Sequence, residues 1–575
     1  MFRVVGARSL VLVAALVLAS AAPAAARDAV VPSFDGTQIH VSFHPAAGLK
    51  AGQRAPTILQ THGWGGTRDT NPDSPSTAAT GNVGTGPLRN AGFNVLTWDS
   101  RGFGQSGGTV EVDSKDFEGR DVQALLDWLA TQPEAKLDKP GDPRVGMHGV
   151  SYAGGIELVA AGIDRRIDAI APTIAWNSLL TSLYKEDTVK GGWSALLYAA
   201  GRTGRLDSHI TSAFLSGSAT GKPSAEDRAW FESRGPGDAL VGRIRVPTLL
   251  LQGTADTLFT TTEAIRNYGI LRRNGVPVKM MWFCGGHGTC LTGEGPAGHF
   301  EAGVIAWLRR YVVGAKVSTG PGFEWLADDA VWRSSTRWPP PRGAAIVATG
   351  SGTLLVNPAD AVSGSPVAAG VATNAVSVAI PERTAQVVGE PTLKLTYSGT
   401  GAIGHVFAQI VDEKRNLVLG NQVTPLPVTL DGASHTVTRR LEGVAASMAP
   451  GGRYHLQVIG GSQVYGPVRG AAAITISAAR LELPTVGSAG LLPSARRCRS
   501  RRRFTIRIHR PAHTRLRSAK VWVAGKRVKV HRRHGRLRAV VNLRGMTARK
   551  VTVRIVARTR SGRILRDKRV YRLCA

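Results

Sequence analysis

The chain has 575 residues, 43% of them hydrophobic, which is enough for about two to four domains and excludes a wholly disordered or collagen-like chain. The formal net charge is +32, from 72 Lys and Arg against 40 Asp and Glu. Residues 491–575 hold 29 of the basic residues and a single acid, Asp567, so the preceding 490 residues are nearly neutral. Because the positive charge is confined to the C-terminal segment, a nucleic-acid-binding function is excluded for the chain as a whole.

The first 26 residues have the pattern of a secretory signal peptide. Arg3 and Arg8 precede an apolar run at 10–19, and small residues follow at 22–26. The apolar stretch is interrupted by Pro23 and is barely long enough to cross a bilayer, which disfavours an uncleaved anchor. We expect cleavage after Ala26 and a secreted, extracellular protein, with attachment to the cell surface as an open alternative.

Residues 27–315 are predicted to form an α/β catalytic domain. Short apolar runs alternate with longer amphipathic ones, such as the helical pattern at 121–131. Residues 179–238 interrupt this alternation with a longer stretch that contains aromatic residues, and we interpret it as a mostly helical cap. The predicted strands are 57–61, 93–98, 145–148, 167–171, 248–252 and 278–283.

The pattern changes after Gly314. Residues 316–342 contain three tryptophans and three consecutive prolines, and we interpret them as a strap between domains. Residues 343–484 have short strand patterns with turn signals, which predict an all-β sandwich or jelly roll. A linker at 485–497 then leads to a small basic β-domain at 498–575.

The segment 145–155 has the features of a nucleophile elbow. A strand leads into Gly149-Val-Ser151-Tyr-Ala153, and a Gly/Ala-rich helix start follows. The turn forces an unusual backbone on the serine and needs small residues on both sides. Ala153 departs from the usual Gly-x-Ser-x-Gly pattern but is still small. Ser151 is therefore the candidate nucleophile.

Two further loops follow predicted strands in the same half of the domain. His62-Gly-Trp64-Gly-Gly is a glycine-rich loop that would supply a backbone N–H to an oxyanion, and the residue after the nucleophile would supply the second. We assign these donors to Trp64 and Tyr152. The next loop contains Asp99 and Arg101, which we interpret as structural residues.

An acid and a histidine complete the expected set. Asp256 follows the strand at 248–252, and His287 follows the strand at 278–283. The order serine, acid, histidine, each just past a strand, is that of α/β-hydrolases. Ser151 would attack, His287 would transfer its proton and Asp256 would orient the imidazole. His299 is the competing base, but its place inside a helical pattern disfavours it.

The four cysteines allow three pairings. In an exported chain, proximity and the domain boundaries favour disulfides Cys284–Cys290 and Cys498–Cys574. A zinc site built on the cysteines around His287 is the alternative, but the spacing matches no standard finger. A disulfide that fixes the histidine loop is the favoured interpretation, and we expect no metal.

The motifs HGWGG at 62–66, DSRGFGQSGG at 99–108, GVSYAGG at 149–155, LLQGTADTLF at 250–259 and GGHG at 285–288 precede a predicted β-sandwich. This set resembles the Xaa-Pro dipeptidyl-peptidase and cocaine-esterase-like serine hydrolases over about residues 30–480. The resemblance implies an α/β-hydrolase with a helical cap and a C-terminal jelly roll that acts on acyl bonds. Esterases of this type often use a tyrosine in the first loop as an oxyanion donor, whereas this chain has Trp64 there.

In the basic module, apolar and basic residues alternate at 501–510 and 550–560, which predicts strands with one arginine-rich face. Such a face would attach to an anionic cell-wall or surface polymer, or it belongs to a merely basic accessory domain. The module has only three aromatic residues, too few for a platform on which bases stack, which disfavours nucleic acid.

Together these features predict a secreted serine hydrolase that forms an acyl-enzyme at Ser151 and needs no cofactor. A small Xaa-Pro peptide is the leading substrate, and a small ester, as for a carboxylesterase or acylase of the cocaine-esterase type, is the alternative. No acidic residue could be identified from the sequence as the partner of a peptide's free amine. A surface-binding protein without catalytic activity is the second alternative.

Overall fold

The computed structural model describes residues 25–360, 362–488, 491, 503–509, 514–533, 535–543 and 550–572. The chain divides into two compact units, residues 1–492 and 493–575, and each is described by itself. Every helix in the described ranges is too short or too polar to cross a membrane. The predicted signal peptide lies almost entirely outside the described residues.

A ten-stranded sheet forms the centre of the first unit. Its strands lie in the order β1-β2-β4-β3-β5-β6-β7-β8-β9-β10. The seven strands from β3 to β9 are parallel to one another. The strands are Arg27–Pro32 (β1), Gln38–His44 (β2), Thr57–Thr61 (β3), Asn94–Trp98 (β4), Val145–Val150 (β5), Ile167–Thr173 (β6), Thr248–Gly253 (β7), Val278–Phe283 (β8), Phe323–Leu326 (β9) and Trp332–Ser335 (β10).

Ten helices accompany this sheet in the described part of the chain. The central parallel strands are almost wholly buried, as expected for strands covered on both faces. The helices are Thr85–Asn90 (α1), Glu118–Ala130 (α2), Tyr152–Ile163 (α3), Leu179–Leu183 (α4), Gly191–Gly201 (α5), Ser208–Thr220 (α6), Ala225–Glu232 (α7), Gly237–Val241 (α8), Thr261–Arg273 (α9) and His299–Tyr311 (α10). Short two-stranded pairs lie at Leu137–Lys139 with Asp142–Pro143 and at Tyr184–Lys185 with Thr188–Val189.

All six strands predicted in this domain are present, with ends that differ by at most two residues. Helices α4 to α8 occupy the segment predicted as a mostly helical cap. The segment 316–342 differs from the prediction of a simple strap. Two of its stretches are β9 and β10, which extend the central sheet beyond β8. The physical reason is burial, because Phe323 and Trp325 enter the main hydrophobic core and are fully shielded from solvent.

Antiparallel strands in several sheets follow. One sheet has the order β11-β20-β14-β17, a second has β12-β19-β15-β16, and β13 pairs with β18. Side chains from both four-stranded sheets share one apolar core, as expected for a sandwich. The strands are Ile346–Val356 (β11), Val376–Ile380 (β12), Ala385–Gly389 (β13), Thr392–Gly401 (β14), His405–Asp412 (β15), Leu417–Pro427 (β16), His435–Arg440 (β17), Val444–Met448 (β18), Tyr454–Ile459 (β19) and Ala472–Leu483 (β20), beside a short pair at Gly364–Ser365 and Ala368–Ala369.

The second unit consists of two small antiparallel sheets, ordered β21-β25-β24 and β23-β22-β26-β27. They share one apolar core, and the alternation predicted from the sequence is present along β26. The strands are Arg503–Arg507 (β21), Leu516–Val523 (β22), Lys526–Val528 (β23), Val530–Arg533 (β24), Arg536–Asn542 (β25), Lys550–Thr559 (β26) and Ile564–Arg572 (β27). Cys498 and Cys574, predicted to close this domain, lie outside the described residues.

Candidate active site

Ser151 lies in the sharp turn between β5 and α3. Its φ is +61°, a left-handed backbone conformation that L-residues other than Gly seldom adopt. The turn is fixed by its backbone N–H, which donates to the Thr173 carbonyl at 2.9 Å. A Cβ at Gly149 would lie 2.5 Å from the Cβ of Ala153, so one of these two positions must be glycine. The alanine that departs from the usual pattern is therefore accommodated by Gly149.

Two glycines let α3 approach its neighbours closely. A Cβ at Gly154 would lie 2.8 Å from the Thr173 carbonyl oxygen. A Cβ at Gly155 would lie 2.3 Å from Asp113 and 2.5 Å from the ring of Trp176. The Gly-Gly pair of the motif is thus required by packing around the serine, as expected for a strand–turn–helix elbow.

Ser151, His287 and Asp256 form one hydrogen-bonded chain. The Ser151 hydroxyl donates to Nε2 of His287 at 2.7 Å, and Nδ1 of His287 donates to Oδ2 of Asp256 at 2.7 Å. The three residues follow β5, β8 and β7, so they meet at the carboxyl edge of the parallel sheet. The structure therefore brings together the three residues that the sequence predicts as nucleophile, base and acid.

Asp256 is fully buried and surrounded by donors. Its Oδ1 accepts the backbone N–H groups of Leu258 and Phe259 at 2.9 and 2.8 Å, and its Oδ2 also accepts the His287 N–H at 3.0 Å. A carboxylate that accepts hydrogen bonds from several N–H groups is held in one orientation. This arrangement fixes the tautomer in which His287 presents an unprotonated Nε2 to the serine.

The β-sandwich holds the two loops that carry Asp256 and His287. The Gln422 side-chain amide donates to the carbonyls of Thr254 and Asp256, both at 3.0 Å. The Asn421 side-chain amide donates to the Thr289 carbonyl at 2.7 Å. Both amides are nearly fully buried, and they lie where the pairing of β15 with β16 shifts register. Asn421 has φ +56°, so a local bulge directs these side chains at the loops.

Lys190 supports the acid loop from the cap side. Its ammonium is buried and donates to the carbonyls of Thr257 and Leu258 at 2.9 and 2.8 Å. Burial lowers the pKa of Lys190 to about 8, because removal from water disfavours the charged amine. Trp193, also in the cap, donates from its indole to the Thr257 hydroxyl at 3.0 Å and packs edge-on to His287.

The predicted oxyanion loop carries Trp64. The Trp64 indole N–H donates to the Leu197 carbonyl at 2.8 Å, so the side chain anchors the cap and only the backbone N–H is left for an oxyanion. Gly65 has φ +75°, and a Cβ there would lie 2.6 Å from the Ala200 carbonyl oxygen. Tyr152 begins α3, where backbone N–H groups lack acceptors within the helix.

The other histidines near the site are held by structural hydrogen bonds. Burial lowers the pKa of His62, whose Nε2 accepts the Ser100 N–H at 3.0 Å. Burial lowers the pKa of His148 to about 4, and its Nε2 accepts the Val83 N–H at 2.9 Å. The competing candidate His299 begins α10, where it stacks on Trp332 and lies 3.8 Å from Glu324. Its contacts are thus those of a structural residue.

Asp99 and Arg101 make extensive structural contacts. Asp99 accepts the backbone N–H of Arg68 at 2.6 Å and that of Gln105 at 3.0 Å. The Arg101 guanidinium pairs with Asp121 and Asp35, both at 2.6 Å. These contacts fix the loop after β4 and agree with the structural role predicted for both residues.

Cys284 and Cys290 form a disulfide, as predicted, with their Cα atoms 5.3 Å apart. The bond closes the loop that carries His287. Because both sulfurs are in the disulfide, they are not free to bind a metal with His287, as the zinc alternative would require. In the part of the chain that the structure describes, no other group of three or more histidine, cysteine or acidic side chains could hold a metal ion.

An apolar cavity of about 120 Å³ lies against Ser151, under the cap. Among the described residues no carboxylate lines it, and Arg228 is the only charged residue that does. The guanidinium carbon of Arg228 lies 5.7 Å from the ring centroid of Tyr184. The apolar side chains that line the cavity include Trp176, Leu179, Leu183, Val189, Leu197, Phe214, Phe231, Leu258 and Phe259.

Two buried acids lie under Tyr152 and do not line this cavity. The Tyr152 hydroxyl donates to Glu118 at 3.3 Å, and Glu118 accepts two backbone N–H groups, from Glu111 and Ser114. Asp113 has no hydrogen-bond partner for either carboxyl oxygen among the described residues, and burial raises its pKa well above the usual value. These acids are enclosed in the protein and are not placed to contact a bound acyl group.

Comparison with known proteins finds a family model that resembles part of the first unit. Residues 35–289 match the model of the X-Pro dipeptidyl-peptidase family S15. The predicted family resemblance is confirmed. A search of curated protein sequences found no match.

Several solved structures share the fold of the S15-like domain and the β-domain that follows it. An aminopeptidase from a marine sediment Thaumarchaeota archaeon is 13% identical, with a TM-score of 0.59, over 80% of this chain and 96% of that chain. An α-amino acid ester hydrolase is 14% identical, with the same TM-score and coverage. A CocE/NonD-family hydrolase from Staphylococcus aureus is 14% identical, with a TM-score of 0.57, over 80% and 93%. The findings indicate a hydrolase of the α/β-hydrolase type.

Four residues that support the site were not predicted. Lys190 and Trp193 belong to a cap that was assigned only as a helical stretch, and Asn421 and Gln422 lie in a sandwich strand. Their partners in the acid and histidine loops are 64 to 168 residues away along the chain. No short motif marks such contacts, although Gly420-Asn-Gln inside an apolar strand pattern is a signal for a bulge.

Proposed function

We propose that the protein is a secreted serine hydrolase in which Ser151 is the nucleophile, His287 the general base and Asp256 the residue that orients the base. The observation that carries this proposal is the continuous hydrogen-bonded chain from Ser151 through His287 to Asp256, with 2.7 Å at each step. Nucleophile and base within hydrogen-bond reach, with the base oriented by a third group, is the signature of covalent catalysis.

In the first half of the reaction the Ser151 oxygen attacks the acyl carbonyl while its proton passes to Nε2 of His287. The backbone N–H groups of Tyr152 and Trp64 stabilise the oxyanion that forms. The tetrahedral intermediate then breaks its bond to the leaving group, which takes the proton from His287 and departs as an alcohol or amine. Ser151 is left as an acyl ester.

In the second half a water molecule replaces the leaving group. His287 accepts a proton from this water as its oxygen attacks the acyl ester, and a second tetrahedral intermediate forms. This intermediate releases the carboxylic acid and restores the Ser151 hydroxyl, which takes the proton back from His287. Asp256 stabilises the imidazolium in both halves.

The lining of the cavity supports an apolar acyl group as substrate. An ammonium placed there would have no carboxylate partner and would share the cavity with the Arg228 cation. We therefore favour esters whose acyl part is apolar and carries no positive charge. Leu258 and Phe259, two and three residues after Asp256, contribute apolar side chains to this lining.

A dipeptidyl-peptidase acting on Xaa-Pro peptides is the second candidate, because the matching family model carries that description. Such a substrate has a free ammonium group, which would need an acidic side chain facing the cavity as its partner. Asp113 and Glu118 are buried behind Tyr152. This candidate therefore requires a rearrangement that exposes one of them.

A set of matched substrates tests the proposal. Release of nitrophenol from nitrophenyl acetate and nitrophenyl hexanoate reports ester cleavage and the preference for apolar acyl groups. Gly-Pro-nitroanilide and its N-acetylated form share one leaving group and differ in the ammonium. We expect the hexanoate to give the highest kcat/KM, the acetylated anilide to exceed the free one, and Ser151→Ala to abolish all turnover.

Each other outcome selects a different function. A higher kcat/KM for Gly-Pro-nitroanilide than for its acetylated form supports the dipeptidyl-peptidase. If no substrate is turned over, or if the Ser151→Ala variant equals the wild type, the proposal of a serine hydrolase fails. A protein without turnover that is retained on anionic polymer would be the surface-binding alternative.

Secretion is a separate part of the proposal. Arg27 begins β1 and its guanidinium pairs with Glu134 at 2.8 Å, so a chain that starts at Arg27 keeps this contact. Expression of the full sequence in a secreting bacterial host, followed by mass spectrometry of the protein in the medium, tests it. The expected N-terminus is Arg27. Retention of residues 1–26 on a cell-bound protein would contradict secretion.

A further inference from the structure

The outward face of the sheet β23-β22-β26-β27 combines positive charge with one aromatic ring. Along β26 the residues at 551, 553, 555 and 557 are buried in the core, so the alternate residues point to solvent. Directly paired residues of neighbouring strands share a face. The register therefore identifies which side chains of all four strands form this outward surface.

One row of this surface crosses all four strands. Arg527 pairs with Trp522, Trp522 with Arg554, and Arg554 with Lys568. Trp522 is half-buried and has an arginine on either side, while the basic residues of the row are exposed. The next row pairs Lys520 with Val556 and Val556 with Arg566. We call Lys520, Trp522, Arg527, Arg554, Arg558, Arg566 and Lys568 the tryptophan face.

Within the described residues of the unit, no carboxylate pairs with the charges of the tryptophan face. Asp567 is the only acid between residues 491 and 575, and it pairs in register with the buried Ile555, which places it on the other side of the sheet. It forms its salt bridge there, with Arg569 at 2.9 Å. Arg554 and Lys568 lie directly opposite each other, an arrangement of like charges that destabilises a sheet unless an anion binds between them.

We propose that the tryptophan face binds an acidic polysaccharide. The exposed arginines and lysines would pair with carboxylate or other anionic groups along the polymer, and the Trp522 ring would pack against the apolar face of a sugar ring. The spacing of neighbouring strands, about 4.8 Å, gives a row of cations long enough to contact several sugar units. This proposal concerns the second unit alone and does not depend on the proposed catalytic function.

Nucleic acid fits this surface less well. A platform for single-stranded nucleic acid needs several aromatic rings on which successive bases stack. Trp522 is the only aromatic residue of the tryptophan face. Of the other aromatic residues of the described unit, Phe504 and Tyr571 pack on each other, with ring centroids 4.9 Å apart, and contact the core.

The second sheet of this unit provides a matched control. It also carries exposed arginines, among them Arg503, Arg507 and Arg533, but no tryptophan. A triple variant Arg527→Gln, Arg554→Gln, Lys568→Gln removes three charges from the tryptophan face. The control variant Arg503→Gln, Arg507→Gln, Arg533→Gln removes three charges from the other sheet. The two variants have the same net charge, so they separate a specific face from general attraction.

The experiment measures binding of the full-length chain to a fluorescently labelled oligogalacturonate by polarisation in 0.15 M NaCl. We expect the tryptophan-face triple variant to bind about tenfold more weakly or worse, and Trp522→Ala to bind about fivefold more weakly. The control triple variant should stay within about threefold of the wild type. Because the substitutions relieve like-charge contact, the melting temperature of the tryptophan-face variant should not fall.

Equal losses in the two triple variants, together with no effect of Trp522→Ala, would overturn the proposal in favour of general electrostatic attraction. Parallel titrations with labelled oligo-dT and with vesicles that contain phosphatidylglycerol test the other anionic partners. Tighter binding to either of these than to the oligogalacturonate would also overturn it. An absence of binding to the oligogalacturonate would do the same.

Discussion

The two sides of the Ser151–His287–Asp256 chain are supported in different ways. The serine side is built by the hydrolase domain itself, through Gly149 against Ala153 and the Ser151 N–H on Thr173. The acid and histidine loops instead receive hydrogen bonds from Asn421 and Gln422 of the sandwich and from Lys190 of the cap. The backbone around the proposed nucleophile is therefore fixed by local sequence, whereas the proposed acid and base are positioned by long-range contacts.

The β-sandwich therefore contributes directly to the position of the acid and histidine loops. Gln422 donates to the Asp256 carbonyl across 166 residues of sequence, and Asn421 donates to Thr289 across 132. A Cβ at Gly420 would lie 2.7 Å from the Thr254 carbonyl oxygen, so the strand approaches the acid loop as closely as glycine permits. Substitution of Ser151 should remove the proposed nucleophile, whereas substitutions among the residues that support the acid and histidine loops should misplace the groups proposed to activate it.

The largest effect is expected on the serine side. Ser151→Ala removes the nucleophile, and we expect kcat/KM for nitrophenyl hexanoate to fall by about 10⁴-fold or more. The surrounding turn is unchanged, so circular dichroism and the melting temperature should match those of the wild type. Residual activity within about tenfold of the wild type would show that another group attacks the ester.

The next effect separates the two candidate bases. His287→Gln breaks both 2.7 Å hydrogen bonds, and we expect a loss of about 10⁴-fold in kcat. His299→Gln is the matched control, because this side chain contacts Trp332 and Glu324 instead. It should change kcat by less than about twofold. A larger loss for His299→Gln than for His287→Gln would reverse the assignment of the base.

A smaller effect is expected where the sandwich contacts the acid loop. Gln422→Met removes the donor to the Thr254 and Asp256 carbonyls, and we expect kcat to fall about tenfold with KM nearly unchanged. KM should hold because Gln422 does not line the cavity.

Gln457→Met is the control for this contact. Gln457 is also a buried glutamine of the sandwich, but it bonds to Ala372 and Gln409, away from the acid loop. We expect it to lower the melting temperature without changing kcat. If the two variants lose stability and kcat in the same proportion, the sandwich acts on stability alone and the comparison between the two sides fails.

The smallest effect concerns pH and a buried acid behind the elbow. Glu157 of α3 accepts the Ala171 N–H at 3.0 Å, its Oε1 has no partner among the described residues, and burial raises its pKa well above 4.5. The folded protein keeps Glu157 protonated where the unfolded chain ionises, so its contribution to stability is complete below pH 4.5 and is lost as the pH rises.

Glu157→Gln removes this dependence because the amide does not ionise. We expect the melting temperature of the wild type, measured relative to that of Glu157→Gln, to fall by a few degrees between about pH 5 and 8. A difference that stays constant over this range would show that Glu157 does not titrate in it. Activity of the two proteins at pH 7 should be similar, since Glu157 does not line the cavity.

The features that could be predicted from the sequence are those fixed locally, and the features that could not are those fixed by long-range contacts. The six central strands, the cap and the three residues of the hydrogen-bonded chain could be predicted, since each is marked by a local pattern of apolar residues or glycines. β9 and β10 could not be predicted, because the tryptophans and prolines of segment 316–342 have no regular strand pattern. The segment forms strands because Phe323 and Trp325 are buried in the core by tertiary packing. The contacts of Asn421, Gln422 and Lys190 are likewise tertiary.

The substrate could not be predicted for a related reason. The sequence shows that residues 179–238 form a cap, but which side chains face Ser151 depends on how five helices pack. The packed cap and the loop after Asp256 give an apolar lining in which Arg228 is the only charged side chain among the residues that the structure describes. That lining changes the favoured substrate from an Xaa-Pro peptide to an ester with an apolar acyl group.

The most direct test of the central claim is covalent labelling of the nucleophile. The folded protein is treated with a fluorophosphonate that carries an alkyl chain, digested with a protease and examined by mass spectrometry. We predict one phosphonylated peptide with the adduct on Ser151, and none from Ser151→Ala or from wild type unfolded before treatment. An adduct on another residue, or an unlabelled Ser151 in folded protein, would contradict the account.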